Sequence, residues 1–176
     1  QPKTGLDVGS HSEKLVIFGS NNASAEVSLA FVVNEALTYN ISASPRELDF
    51  GSETVGYAEA PAVQMVTIEN TGNQTITLNQ PTAFVYNIGA LSTTELTVGG
   101  TATFTVQPKT GLAVGRYSEE LVISGSNNAS AQVVLSFTVT KTAPTTYTLT
   151  VELNGGNGTT ISGEYPAGEV VNIDAG

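Results

Sequence analysis

The chain has 176 residues, 40% hydrophobic and 7% aromatic, with no cysteine and a formal charge of −10 from 6 basic and 16 acidic side chains. This is enough apolar material for globular cores and is unlike the composition of a disordered chain. It excludes disulfide staples, and it argues against nucleic acid and anionic membrane surfaces, because no basic cluster exists to displace counterions.

The negative charge is spread along the chain: −2 over 1–39 (2 minus 4), −4 over 40–141 (4 minus 8) and −4 over 142–176 (0 minus 4). A solvated acidic surface explains it. Apolar runs are short, such as Leu15-Val-Ile-Phe18. No membrane-spanning helix, signal peptide or wall-sorting signal is visible.

Residues 1–34 begin with a loop, Lys3 to Gly9. The pattern then predicts a strand over 11–18, a turn at Ser20-Asn-Asn-Ala and a strand over 24–33. This segment occurs again: 107–140 align on 1–34 without a gap, at an offset of 106, with ten differences in 34 pairs. In the second strand of each copy, Ala25, Val27, Leu29, Phe31 and Val33 match Ala131, Val133, Leu135, Phe137 and Val139. Every residue between them differs. A period of two is the period of a β-strand, so one face is held by a core and the other drifts in water. Ala131, Val133, Leu135, Phe137 and Val139 are therefore predicted buried, and Gln132, Val134, Ser136 and Thr138 exposed.

After a connector at 35–40, residues 41–140 read as one complete repeat. Ile41-Ser-Ala-Ser is a first strand ending at Pro45, where a ladder donor is missing, and Leu48 and Phe50 continue it to Gly51. Gln64 to Asn70 alternates with Val66 and Ile68 inward, and Thr71-Gly-Asn73 is a turn. Thr75 to Leu78 alternates again, and Phe84, Tyr86 and Ile88 form a further strand. Leu96-Thr-Val before Gly99-Gly100 signals a hairpin. Ala102, Phe104 and Val106 face inward next, followed by Tyr117, Leu121 and Ile123, and 130–139 closes the repeat. No stretch shows helical periodicity. The physical conclusion is all-β, a Greek-key β-sandwich.

Lys141 to Thr146 is a linker by composition, and the repeat does not resume after it. Tyr147 to Val151 alternates, Asn154 to Gly158 turns, Thr159-Thr-Ile follows, and Glu169 to Ile173 is predicted as a third strand. The expected organisation is an incomplete repeat at 1–39 (its C-terminal part), a complete repeat at 40–141, a linker at 142–146, and the start of a different small β module at 147–176. Because Gln1 falls inside a repeat, the chain reads as an excerpt. The apolar face of 1–34 then needs partner strands corresponding to 41–106, and a neighbouring chain could supply them by strand exchange.

Ala43-Ser-Pro-Arg-Glu-Leu-Asp-Phe-Gly51, Val55-Gly56 and Val66-Thr-Ile-Glu-Asn-Thr-Gly-Asn73 carry a resemblance. They resemble the Ig-like sandwiches of the abnormal-spindle/hydin and major-sperm-protein type, in the form found as tandem repeats in bacterial secreted and surface proteins. The resemblance implies Ig-like sandwich repeats in tandem and carries no chemistry. Tyr147, Val151, Asn154-Gly-Gly, Gly163-Glu-Tyr165, Gly168 and Val171 are similar to the glycine-rich repeats of bacterial surface adhesins, including the internalin B-repeat group.

Few constellations could carry chemistry. His11 is the single histidine and aligns with Tyr117. In Ig-like sandwiches a tyrosine two residues after a glycine often anchors a corner through its hydroxyl, and Gly115-Arg-Tyr117 fits that pattern. A ring nitrogen of His11 can take the hydroxyl's place. Glu119 and Glu120 are adjacent and point to opposite faces of a strand. Glu119, aligned with Glu13, has inward parity and is expected to be hydrogen-bonded. Glu47 and Asp49 share a face, about 7 Å apart along a strand, and read as exposed carboxylates. Asn22, Asn40, Asn73, Asn128 and Asn157 sit in Asn-X-Ser/Thr patterns but are turn formers. No catalytic, cofactor-binding or metal-ligating residue is expected, and no cofactor.

These readings point to a non-catalytic spacer module of a bacterial extracellular or cell-surface protein, with neighbouring repeats of the same protein as partners and no membrane insertion. The alternative is an adhesin or carbohydrate-binding module that reads a host or glycan ligand with its loops. Phe18, Tyr57, Phe84 and Tyr86 are the candidate aromatic platforms for that role.

Overall fold

The computed structural model describes residues 1–152, 155 and 162–172. Strands β1 (Gly9–Phe18) and β2 (Ser24–Val33) form a hairpin around the Ser20–Asn22 turn. Residues 41–140 hold β3 (Ile41–Ser44), β4 (Glu47–Thr54), β5 (Gln64–Asn70), β6 (Ile76–Thr77), β7 (Tyr86–Ile88), β8 (Glu95–Leu96), β9 (Thr101–Pro108), β10 (Gly115–Ser124) and β11 (Ser130–Thr140). Beyond it, β12 (Thr146–Leu149) pairs antiparallel with β13 (Gly163–Pro166).

Two sheets face each other across one core. The first has the order β3-β5-β9-β7, all antiparallel. The second has the order β10-β11-β4, with β11 and β4 parallel. The short pair β6-β8 joins the free edge of β10, where Leu78 bridges Gly125 and the Asn79 N–H donates to Ser124 O at 2.9 Å. Val66, Ile68, Tyr86, Ala102, Phe104 and Val106 from the first sheet meet Leu48, Leu121, Ile123, Val133, Leu135 and Phe137 from the second. The protein is all-β and this unit is an Ig-like Greek-key sandwich.

The alternation reading of β11 holds. Val133, Leu135, Phe137 and Val139 are buried, and Gln132 and Val134 are exposed. Ala131 is only half-buried. Ser136 and Thr138 are half-covered rather than open, because β4 docks along that edge and the Ser136 hydroxyl donates to Asp49 Oδ1 at 3.1 Å.

Residues 41–51 are not one strand. Pro45 has no N–H for the ladder, so pairing with β5 stops at Ser44 and the chain crosses to the other sheet, with the Ser44–Pro45 peptide cis. The parity shows why. Ile41 and Ala43 are buried at odd positions and Leu48 and Phe50 at even ones, which one continuous strand cannot satisfy on one face. The Leu-Asp-Phe-Gly stretch then has a physical role. Leu48 and Phe50 enter the core, while between Asp49 and Ser52 β4 gains one residue over β11. Gly51 takes up this bulge at φ +68°, and Asp49 Oδ1 accepts its N–H at 2.9 Å.

The Gly99-Gly100 hairpin does not form either. β8 pairs with β6 and β9 with β5 and β7, so this turn carries the chain between sheets. Local turn chemistry is right, with Gly99 at φ +70°, but the apolar sides of Leu96 and Ala102 are satisfied from different layers. Phe84 lies outside β7. Residues 169–172 are irregular rather than a third strand, and Ile173 lies outside the described residues, as do Asn154, 156–158 and 159–161.

The β1–β2 hairpin keeps the register of β10–β11, with Leu15 opposite Val27 as Leu121 is opposite Val133. Its environment differs entirely: Phe31 is 43% exposed where Phe137 is 1% exposed.

Candidate functional site

The two corner residues are placed as the sequence suggests. The Tyr117 hydroxyl donates to Ala113 O at 2.8 Å, and His11 Nε2 bonds Asp7 O at 2.8 Å, four residues back in each copy. A carbonyl only accepts, so Nε2 of His11 carries the proton. His11 is thus a hydrogen-bonded corner, and among the described residues no cluster of His, Asp or Glu that could hold a metal forms around it.

Glu119 accepts the N–H groups of Phe84 and Val85, at 2.8 and 3.3 Å. Lys109 holds the same loop from the other side, its Nζ donating to Phe84 O at 2.6 Å and its N–H to Val85 O at 3.0 Å. Glu47 and Asp49 are exposed on the outer face of β4, and Asp49 is engaged by the Gly51 bulge. Asn22 and Asn128 have left-handed backbones at φ 60° and 62°, as turn formers, and Asn157 lies outside the described residues.

Of the four aromatic candidates, two are structural. The Tyr57 hydroxyl donates to Lys109 O at 2.6 Å, with its ring edge on Phe137 at 5.7 Å between centroids. The Tyr86 hydroxyl donates to Tyr117 O at 3.0 Å, with its ring on Phe50 at 5.7 Å. Phe84 and Phe18 are open, at 88% and 79% exposure. A shallow groove of about 460 Å³ is lined by Gln80, Pro81, Ala83, Tyr86, Asn87 and Lys109 among others, and Phe84 is not part of its lining. Gln80 is already committed, with its Oε1 accepting the Leu91 N–H and its Nε2 donating to Gly89 O, both at 3.0 Å.

Burial pushes the Tyr86 phenol up from 10 to about 12, and the charges of Glu119 and Asp49 add to it. A raised folded-state value means the protonated phenol is the stabilised form. That stability is complete below pH 10 and is lost as pH rises from 10 to about 12. Two units correspond to roughly 2–3 kcal/mol. Chemical denaturation at pH 9 and pH 12 should show this fall, and Tyr86→Phe should make the alkaline limb shallower.

A dense polar arrangement lies where the connector meets the sandwich. Asn70 is 1% exposed. Its Nδ2 donates to Gln74 O at 2.8 Å, Leu96 O at 3.0 Å and Thr97 O at 3.1 Å, and its Oδ1 accepts the Gly72 N–H at 3.0 Å. The turn this fixes grips residues 36–40. Asn73 Oδ1 accepts the Thr38 N–H at 2.8 Å, and its Nδ2 donates to Ala36 O at 2.9 Å. The Asn73 N–H reaches Thr38 Oγ1 at 3.0 Å, and the Thr71 and Gly72 N–H groups donate to Asn40 O at 2.9 and 3.2 Å. Gly72 permits this close approach, because a Cβ there would collide with Thr38 O and lie 2.9 Å from Asn40 N.

The 71–73 turn expected from the sequence is also a clamp, which turn chemistry alone does not reveal. One signal was present: Asn70 follows Val66 and Ile68 at core parity. A polar side chain there must find internal partners.

No protein-family model matches the chain, and no curated protein matches it. Among solved structures it is similar to a protein of unknown function from Porphyromonas gingivalis W83, at 14% identity and TM-score 0.44, over 78% of this chain and 68% of that one. It is similar to the secreted serine protease VesC from Vibrio cholerae at 21% identity and TM-score 0.44, over 69% of this chain and 30% of that one. It is also similar to the ASH/PapD-like domain 7 of human CEP192 at 12% identity and TM-score 0.44, over 66% of this chain and 99% of that domain. Likenesses this distant say nothing of activity.

Proposed function

We propose that the chain is a non-catalytic spacer: Ig-like repeats in tandem that hold other domains in a set geometry, as part of a bacterial extracellular or cell-surface protein. In this reading residues 40–141 are one complete repeat, 1–39 are the closing part of another, 142–146 are a linker, and 147–176 begin a different, adhesin-like module. The observation that carries it is the clamp of Asn70 and Asn73 on the 36–40 connector. A spacer transmits orientation only if its joints are stiff, and here the joint is hydrogen-bonded to the repeat that follows it. The resemblance of the repeat to those of bacterial surface proteins supports the setting.

Backbone NMR order parameters test it. Residues 36–40 should be as ordered as the strands, near 0.85, and Asn73→Ala should drop them toward 0.6 or below. Values already that low in the unaltered chain would remove the basis for a spacer. A glycan array on the intact chain addresses the second reading, a carbohydrate-binding module, which the rigidly held and exposed Phe84 favours. Binding lost in Phe84→Ala would move the function to that class.

A further inference from the structure

The β1–β2 hairpin has a twin whose surroundings are known in the same chain. Leu15, Ile17, Val27, Leu29, Phe31 and Val33 match Leu121, Ile123, Val133, Leu135, Phe137 and Val139 in identity and register. The twin's set is wholly buried, under strands drawn from residues 41–106, while in β1–β2 all but the half-buried Val33 stand exposed.

Apolar matching alone would fit many covers. The polar residues narrow the choice. In the twin, Gln107 Nε2 donates to Pro61 O at 2.9 Å, Lys109 Nζ to Phe84 O at 2.6 Å, Glu119 accepts the Phe84 and Val85 N–H groups, and Ser126 Oγ accepts the Thr77 N–H at 3.1 Å. Every one of these bonds reaches into 41–106. The same four side chains recur as Gln1, Lys3, Glu13 and Ser20. Glu13 is the telling one, because a carboxylate at inward parity on an apolar face needs a cover that brings donors to it, as the Phe84–Val85 backbone does for Glu119. Three other seam bonds are not kept: Ser124, Ser136 and Thr140 become Phe18, Ala30 and Asn34.

We propose that the apolar face of β1–β2 docks a half-sandwich of the 41–106 type, from another unit of this repeat lying outside these 176 residues. It carries an 84–85-like loop for Glu13 and Lys3, and differs from 41–106 at the Asn79 position, where it meets Phe18. The chain's own 41–106 is already closed by 107–140. A second copy does not resolve the shortage, because each copy brings two hairpins and one half-sandwich. The inference holds whether or not the protein is a spacer.

The test places a second copy of residues 41–106, with Asn79→Ala in that copy to admit Phe18, ahead of Gln1 in the full chain, so that Val106 runs into Gln1 as it runs into Gln107. Hydrogen exchange at Leu15, Val27, Leu29 and Phe31 should slow at least 100-fold, toward the rates of Leu121, Val133, Leu135 and Phe137. Leu29→Glu in the extended chain should abolish the gain and leave β10–β11 protected. Unchanged exchange in β1–β2 beside a protected β10–β11 overturns the proposal. If the extended chain does not fold, the same extension with Asn79 kept and carrying Phe18→Ser, Ala30→Ser and Asn34→Thr, which restores the seam side chains of the twin, takes its place, and unchanged β1–β2 exchange in it overturns the proposal. A dimer of the unaltered chain with β1–β2 already protected also overturns it, in favour of a second copy.

Discussion

Phe137→Ala is expected to lower the unfolding free energy by about 3–5 kcal/mol, while Phe31→Ala in the same chain changes it by less than about 0.5 kcal/mol. The two phenylalanines occupy equivalent positions of the two matching hairpins, opposite Tyr117 and His11 respectively. Their intrinsic strand preference and local sequence are nearly identical, so those factors cancel. What differs is the cover. Phe137 packs under the facing sheet with Tyr57 edge-on to its ring, and truncation leaves a cavity there. Phe31 is 43% exposed, and truncation removes side chain from water. Urea denaturation followed by circular dichroism measures both. Equal losses would show that β1–β2 is part of the same cooperative core, contrary to the exposure seen here.

Asn70→Ala should cost about 2–3 kcal/mol, which is large for a single polar side chain. The amide is buried and bonds Gln74 O, Leu96 O, Thr97 O and the Gly72 N–H. Alanine removes the amide from all four; the Gly72 N–H keeps Asn40 O and Thr97 O keeps the Gly100 N–H, so the loss falls chiefly on Gln74 O and Leu96 O, whose desolvation the amide had offset. Asn70→Asp is expected to be worse than alanine at neutral pH. It keeps the acceptor for Gly72 but turns a second carboxylate oxygen toward three carbonyls. By contrast, Asn79→Ala, at an exposed residue bonded to Ser124 Oγ at 3.1 Å, should stay under about 1 kcal/mol. Thermal and urea unfolding of the three variants check the order. If Asn70→Ala fell no further than Asn79→Ala, the turn would not depend on the buried amide. The loss at position 70 should also loosen residues 36–40, since the turn that Asn70 fixes is the one that holds Thr38 and Asn40.

Most strand positions were readable because period-two burial is a local property. Each residue of β5, β9 and β11 reports its own face, and the duplication shows which face is held constant. Tyr117 and His11 were readable for a related reason: each bonds a carbonyl four residues back, within the reach of one loop. Glu119 was half-readable. Its inward parity signalled a partner, but the partner, the Phe84–Val85 backbone, lies 34 and 35 residues away in sequence.

Alternation and neighbours a few residues apart are enough to give an all-β chain, the internal duplication, the inward faces and the corner anchors. Which strands pair was settled by long-range packing. It moved β4 to the sheet opposite β3, separated β8 from β9 across Gly99-Gly100, and set Asn70 and Asn73 to hold the connector. Turn chemistry fixes a local bend but not the layer into which the next strand goes. That choice depends on burying apolar sides from distant segments together, and on where buried N–H and C=O groups find partners. The same physics separates the two hairpins: with the same apolar face, one is core and the other is surface, according to whether a half-sandwich covers it.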